Sequence, residues 1–278
     1  GSPKALPRAL AVRAQQAKAQ GKPMRLRLLT GASTGPDVDD ALAAADAVAW
    51  RAPFQSSKAM RDDINAGITA FVDMHLSHVP QMIEYGFFGA LEFVVVEASD
   101  VTADGRVFLT TAGGLTPSLL RHAQHVIIEL NRRLPARVAG LHDVLVLERP
   151  PMRRPVPISR PLDRVGVPFA VTDPHRILGV IETDEPDGMS PYPPAGAEAQ
   201  AIAQHIAHFL VEEHRSGRLS PVGLPFQAGV GALSDAVMRA LGASALPPFE
   251  MYTEVVQDSV VDLMRLGRCT GASTSALY

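Results

Sequence analysis

The chain has 278 residues, 46% hydrophobic and 20% charged, a globular balance that argues against disorder and fits one large domain or two smaller ones. Its formal net charge of −3 provides no basic field for nucleic acid or a membrane surface, and no apolar run reaches the length of a membrane span. The single cysteine, Cys269, excludes an intramolecular disulfide framework and a multi-cysteine zinc site; with no signal-peptide core at the N-terminus, it points to a reducing, cytoplasmic compartment.

In chain order, residues 3–20 read as a helix, with Pro3 near its start and Gly21 closing it. Residues 24–29 read as a strand. Gly31-Ala32-Ser33-Thr34-Gly35 then forms a glycine-bearing loop before a helix over residues 38–48. Ser57 is a candidate N-cap for a further helix ending near Gly67. Strands are expected over residues 69–73, 91–97, 107–110, 126–129 and 144–147, with Asp104-Gly105 as a hairpin turn. Helices are expected over residues 77–85 and 117–123. The alternation predicts an α/β architecture with mixed rather than purely parallel pairing.

Residues 150–161 hold five prolines and cannot form a regular helix. Residues 182–196 are rich in Pro, Asp and Gly and read as an interdomain linker. A strong helix follows over residues 197–215, ended by Gly217. Residues 224–227 are short and apolar, Gly229-Val230-Gly231 comes next, and residues 235–241 read as a helix. The apolar-rich stretch from Pro248 reads as a strand. The stretch after Glu254, with Val256, Val260, Leu263 and Met264 on one face, reads as a helix.

Glu254 therefore stands where a strand hands over to a helix, the edge at which open α/β sheets bind ligands. A carboxylate there can attack a carbonyl and hold an acyl group; equally, it can simply suit the dipole of the helix that follows. Gly229-Val230-Gly231 can offer N–H groups to a phosphate or an oxyanion, or serve only as a tight turn. The loop at Gly31 has the same ambiguity and is not a Walker A pattern. Asp73, His75 and His78 supply an incomplete ligand set for zinc, without the H-E-x-x-H pattern, so no metal site is expected. No Gly-x-Ser-x-Gly elbow occurs, and Cys269 lacks a local nucleophile signature. Arg51, Arg132, Arg133, Arg153 and Arg154 can meet phosphates or stand as solvated surface charges.

Several segments together resemble the acetyl-CoA hydrolase/transferase family, which includes the succinyl-CoA:acetate CoA-transferases. They are Leu29-Thr30-Gly31-Ala32-Ser33-Thr34-Gly35, Arg61 with Ile64-Asn65 and Gly67, and Asp73-Met74-His75-Leu76-Ser77. Glu97-Ala98, Asp104-Gly105 and Glu129-Leu130-Asn131 follow, then Gln227 with Gly229-Val230-Gly231, and finally Met251-Tyr252-Thr253-Glu254-Val255-Val256-Gln257-Asp258. The match keeps its order along nearly the whole chain.

The resemblance implies an α/β fold of the NagB/RpiA/CoA-transferase type, with one complete or nearly complete domain and the start of a second, related one. It implies an N-terminal CoA-transferase domain over residues 1–185, a linker over 186–196, and the beginning of the C-terminal domain, with the nucleophile, over 197–278. Glu254 matches the family's nucleophilic glutamate, which forms a glutamyl-CoA thioester. Gly229, Val230, Gly231, Ala232 and Leu233 match a backbone stretch that contacts coenzyme A. Family members continue after this loop with Asn and then an Ala-Asn pair, where this chain has Ala232, Ser234 and Asp235; a side-chain contact from that Asn is lost. They also extend well beyond this chain. The implied substrates are a short acyl-CoA and a carboxylate, with coenzyme A thioester as substrate and no separate cofactor. A hydrolase, or a catalytically incomplete half-chain or binding subunit, is the alternative. The implied partner is a second copy in a homodimer or a complementary C-terminal half.

Overall fold

The computed structural model describes residues 2–33, 35–188, 192–219 and 225–277, apart from the side chain of Ala136. The chain divides into two compact units, Gly1–Pro155 with Gly166–Ser190, and Val156–Val165 with Pro191–Tyr278. Part of the expected linker, residues 189–191, lies outside the described residues, as does Leu224 of the expected apolar stretch.

The first unit opens with α1 (Ala5–Ala19), β1 (Leu26–Ser33), α2 (Pro36–Ala44), β2 (Val48–Gln55), α3 (Lys58–Asn65) and β3 (Ala70–Phe71). β1, β2 and β3 make a parallel sheet in that order. The expected glycine loop is a correction: β1 runs through Gly31 to Ser33. Leu29 pairs with Ala52 and Ala32 with Phe54, so Thr30 and Gly31 together face Pro53. Such a bulge accommodates a residue that has no N–H to give the ladder. The expected helix over 38–48 ends at Ala44, and Val48 opens a strand absent from the sequence reading. β2 carries a charge and a proline, which hid it. Arg51 is fully buried: its Nε and Nη2 meet the two carboxylate oxygens of Asp39 at 3.2 and 3.3 Å, and its guanidinium also donates to the carbonyls of Ala52 and Phe54. It is not a phosphate ligand. Ser57 caps α3 as expected, its hydroxyl accepting the Met60 N–H at 3.0 Å.

The same unit continues with α4 (Val79–Glu84), β4 (Phe93–Val101), β5 (Arg106–Leu109), α5 (Thr116–His122), β6 (His125–Asn131), β7 (Ala170–Val171) and β8 (Ile177–Thr183). The sheet order is β7-β5-β4-β6-β8. β4, β6 and β8 are parallel, while β5 is antiparallel to both β4 and β7. Asp104-Gly105 forms the expected hairpin turn, with Gly105 at φ +83°, a conformation that favours glycine. Val94, Val96, Ala98, Leu120, Val126 and Ile128 make the core of this sheet. The strand expected over 144–147 reduces to one bridge, Val144 to Val167. β8 lies partly in the expected linker and was missed; Leu178 and Val180 are exposed, so its alternation carries little core signal.

Glu97 and Glu129 are register partners on β4 and β6, and both are buried. Glu129 caps α1 from a distance: its oxygens accept the N–H groups of Lys4, Ala5 and Leu6 at 2.8, 3.1 and 2.6 Å. Glu97 takes the Lys4 ammonium, the Thr110 hydroxyl and the Asn131 amide, each at 2.9 Å. Helix N–H groups and a lysine thus offset the two neighbouring carboxylates.

Glu84, at the end of α4, meets Arg149 Nε at 2.5 Å and His122 Nε2 at 2.6 Å. The Arg149 hydrogen bond, helped by His122, outweighs burial and holds the Glu84 carboxyl below its ordinary value. A lowered folded pKa gives stability that is complete above the unfolded value of about 4.3 and fades as pH falls through the folded one. Thermal melts of wild type and Glu84→Gln are therefore expected to differ near neutrality and to converge in acid.

The second unit holds α6 (Ala197–Arg215), α7 (Ala232–Ala243), β9 (Phe249–Tyr252), β10 (Val255–Val256), α8 (Asp258–Arg265), β11 (Cys269–Ser273) and β12 (Ala276–Leu277). α6 has the expected bounds. β9 pairs with β11 and β10 with β12, all parallel. Ala203, Ala207, Met238, Leu241, Met251 and Val260 lie in one core. The expected helix face needs correction: Val256 belongs to β10, and α8 buries Ser259, Val260 and Leu263 while Met264 is exposed. Among the described residues, no helix is long and apolar enough to cross a membrane.

Candidate active site

Glu254 lies two residues past the end of β9 and immediately before β10, with α8 beginning at Asp258, so the expected direct handover from strand to helix is corrected: a short second strand stands between them. Phe249 and Thr253 donate their N–H groups toward the β11 side, to Arg268 and Ser273. On the opposite edge, Phe226 donates to the carbonyl of Glu250 and accepts from the N–H of Tyr252. The strand leading to Glu254 is thus held on both sides. The Glu254 carbonyl accepts from Ser275 N at 3.1 Å and from the hydroxyls of Thr274 and Ser275, both at 2.8 Å. Met251, Thr253, Val255, Val256 and Gln257 are all buried, whereas Glu254 itself is exposed. Among the described residues its carboxylate takes no hydrogen bond or ion pair. The backbone is fixed and the side chain is left open to solvent.

Thr253 and Gln257 connect this segment to the glycine loop. The Thr253 hydroxyl donates to the Ala228 carbonyl at 3.0 Å and accepts the Ala228 N–H at 3.3 Å. Gln257 Nε2 donates to the Gly229 carbonyl at 2.9 Å, and Gln257 Oε1 accepts the Gly231 N–H at 3.1 Å. Glu254 and the 229–231 loop are therefore neighbours through their flanking residues. Gly231 adopts φ +120°, which disfavours any side chain. Ala232 and Leu233 open α7, whose N-terminus has no side-chain cap. The expectation of free N–H groups along the loop is corrected at Gly231, whose donor is used. Those of Gly229 and Val230 have no acceptor among the described residues.

The sequence reading gave no role to Thr253 or Gln257. The available signal was Gln257 itself, a polar residue directly after Val255-Val256; once buried, it needs hydrogen-bond partners.

Cys269 is 2% exposed, and its Sγ donates to the Gly271 carbonyl at 3.4 Å. Burial pushes the thiol pKa up, with Glu250 adding to the shift, so little thiolate exists near neutrality. In the folded protein Cys269 is expected to resist a thiol-specific reagent and to react fully after denaturation, which a colorimetric thiol assay checks. His75 and His78 contact edge-to-face at 5.4 Å; among the described residues no three His, Cys, Asp or Glu side chains converge to hold a metal ion. Arg132 pairs with Glu182, and Arg153 donates to the Glu148 carbonyl.

Comparison with known proteins adds to this geometry. Residues 1–182 match the family model described as the acetyl-CoA hydrolase/transferase N-terminal domain. The chain is 47% identical over 278 residues to a propanoyl-CoA:succinate CoA transferase of Escherichia coli K12, covering 100% of this chain and 56% of that protein. It is 36% identical over 283 residues to an acetyl-CoA hydrolase of Neurospora crassa, covering 100% and 54%. The chain thus spans about half the length of these relatives. Among solved structures, a 4-hydroxybutyrate CoA-transferase from Porphyromonas gingivalis aligns with a TM-score of 0.57 at 18% identity, over 95% of this chain and 61% of that one. This last likeness shows a shared fold.

Proposed function

Because this chain belongs to the acetyl-CoA hydrolase/transferase family, we propose that it carries the nucleophile of an enzyme that moves coenzyme A between a short acyl-CoA and a carboxylate. One observation carries the reading: Glu254 exposes its carboxylate from a backbone locked on both sides, beside a glycine loop whose Gly229 and Val230 N–H groups have no acceptor among the described residues. In the proposed reaction a Glu254 oxygen attacks the thioester carbonyl. The resulting oxyanion is met by backbone N–H groups near Val230, one such donor being worth about 3–4 kcal/mol. Collapse expels the CoA thiolate and leaves a mixed anhydride. The thiolate then attacks the glutamyl carbonyl, releasing the first acyl group as its carboxylate and forming a glutamyl-CoA thioester. An incoming carboxylate runs these steps in reverse with a new acyl group. Atoms and thioester energy are conserved, and the chemistry needs no metal or redox group. Water must be kept from the intermediate.

The whole protein is proposed to work as a cytoplasmic homodimer. The propanoyl-CoA and succinate named for the E. coli relative are the first substrates to try. The name of the Neurospora relative motivates hydrolysis as the second reading. The test is turnover of propanoyl-CoA by the full-length protein, with and without succinate. The proposal expects turnover to depend on succinate and to yield succinyl-CoA. Equal release of free CoA without any carboxylate would favour the hydrolase.

A further inference from the structure

Thr253 immediately precedes Glu254, and Gln257 lies three residues beyond it. Both are buried, both are polar, and both hydrogen-bond through their side chains to the stretch from Ala228 to Gly231, with the Thr253 hydroxyl also 3.3 Å from the Val255 carbonyl. Core packing alone would suit apolar side chains at these places, since a buried polar group must recover its lost hydration through hydrogen bonds. Gln257 recovers it with one donor and one acceptor on peptide groups that flank Val230. Its amide orientation is fixed by those partners, because a carbonyl needs the NH₂ and an N–H needs the oxygen. A second donation, to Ser234 Oγ at 3.4 Å, reaches the first turn of α7. Val230, between the two bonded peptides, is 47% exposed and keeps its N–H without an acceptor among the described residues.

We infer that Thr253 and Gln257 are positioning residues, which set the glycine loop relative to Glu254 so that the Gly229 and Val230 N–H groups meet the oxyanion formed at that carboxylate. The inference rests on the proposed nucleophile and adds how its electrostatic partner is placed. The loop is glycine-rich and bears one residue at φ +120°, so its own sequence does not hold one conformation. The tether supplies that order from the nucleophile's own segment. Donors act at full strength only if they are in place before the charge develops. Loosening the tether therefore affects the transition state more than ground-state binding.

The experiment uses the full-length enzyme with propanoyl-CoA and succinate, comparing wild type, Gln257→Met and Thr253→Val. Both changes keep approximate volume and remove the hydrogen bonds. For Gln257→Met, kcat is expected to fall about 100-fold, the scale of a misplaced catalytic group, and for Thr253→Val about 10-fold. KM for propanoyl-CoA should stay within about threefold of wild type in both. The single-turnover rate of CoA attachment to Glu254, read by mass spectrometry, should fall with kcat. If Gln257→Met does not fold, Thr253→Val decides. Folded variants that keep kcat within about threefold of wild type, or that lose only KM, overturn the inference. Absence of any CoA attachment in wild type instead overturns the nucleophile assignment beneath it.

Discussion

Glu254→Ala is expected to reduce CoA transfer by about four orders of magnitude or more, as removal of a covalent nucleophile does. The same substitution should leave stability nearly unchanged. The carboxylate is exposed and unpaired among the described residues, and surface changes of this kind usually stay within about 0.5 kcal/mol. Activity and stability are thus predicted to separate fully. Glu254→Asp keeps the charge but withdraws it by one methylene from a backbone that cannot follow, because its carbonyl is held by Thr274 and Ser275. A displacement on this scale can cost about 100-fold. Rates of thioester exchange, read beside thermal melts, check both variants. A fully active Glu254→Ala would remove the basis of the proposed reaction.

The opposite pattern is expected at Arg51. Among the described residues, Arg51→Leu leaves the buried Asp39 carboxylate with only the Ser33 hydroxyl, at 2.7 Å, as a side-chain partner. Breaking a buried pair from one side costs about 3–5 kcal/mol, because an uncompensated charge remains. The loss extends beyond the ion pair, since the same guanidinium satisfies the carbonyls of Ala52 and Phe54 next to Pro53. The midpoint of thermal unfolding should drop by roughly 10 °C, given the usual 2–4 °C per kcal/mol at this size. Replacing Asp39 by Leu in the same molecule should recover part of that loss, because no lone charge is then buried. An unchanged midpoint for Arg51→Leu would contradict the buried pairing.

These two sites also show what was legible in the residues. Elements with a clear period or a punctuating turn were placed well: α6 between Gly196 and Gly217, α3 behind Ser57, and the hairpin at Asp104-Gly105. Elements whose stability comes from distant partners were not. β2 contains Arg51 and Pro53, which read locally as surface and breaker; only Asp39 and the bulge in β1 make them a strand. Glu129 reads as one acid among apolar neighbours, yet it caps a helix more than 120 residues earlier in the chain. Glu254 stands out as a candidate because a carboxylate near a strand end carries a chemical reason of its own. Thr253 and Gln257 belong to the matching stretch Met251–Asp258, but no role is legible for them there, because a tether between two segments has no local period. Their role depends on which backbone atoms folding brings within 3.3 Å.

The most direct measurement is intact-mass and peptide mass spectrometry of the full-length protein after incubation with propanoyl-CoA in the absence of an acceptor. The account predicts one coenzyme A attached through a thioester to the peptide containing Glu254, removed by borohydride reduction and absent in Glu254→Ala. An active protein that shows no such adduct, or that carries it on another residue, would contradict it.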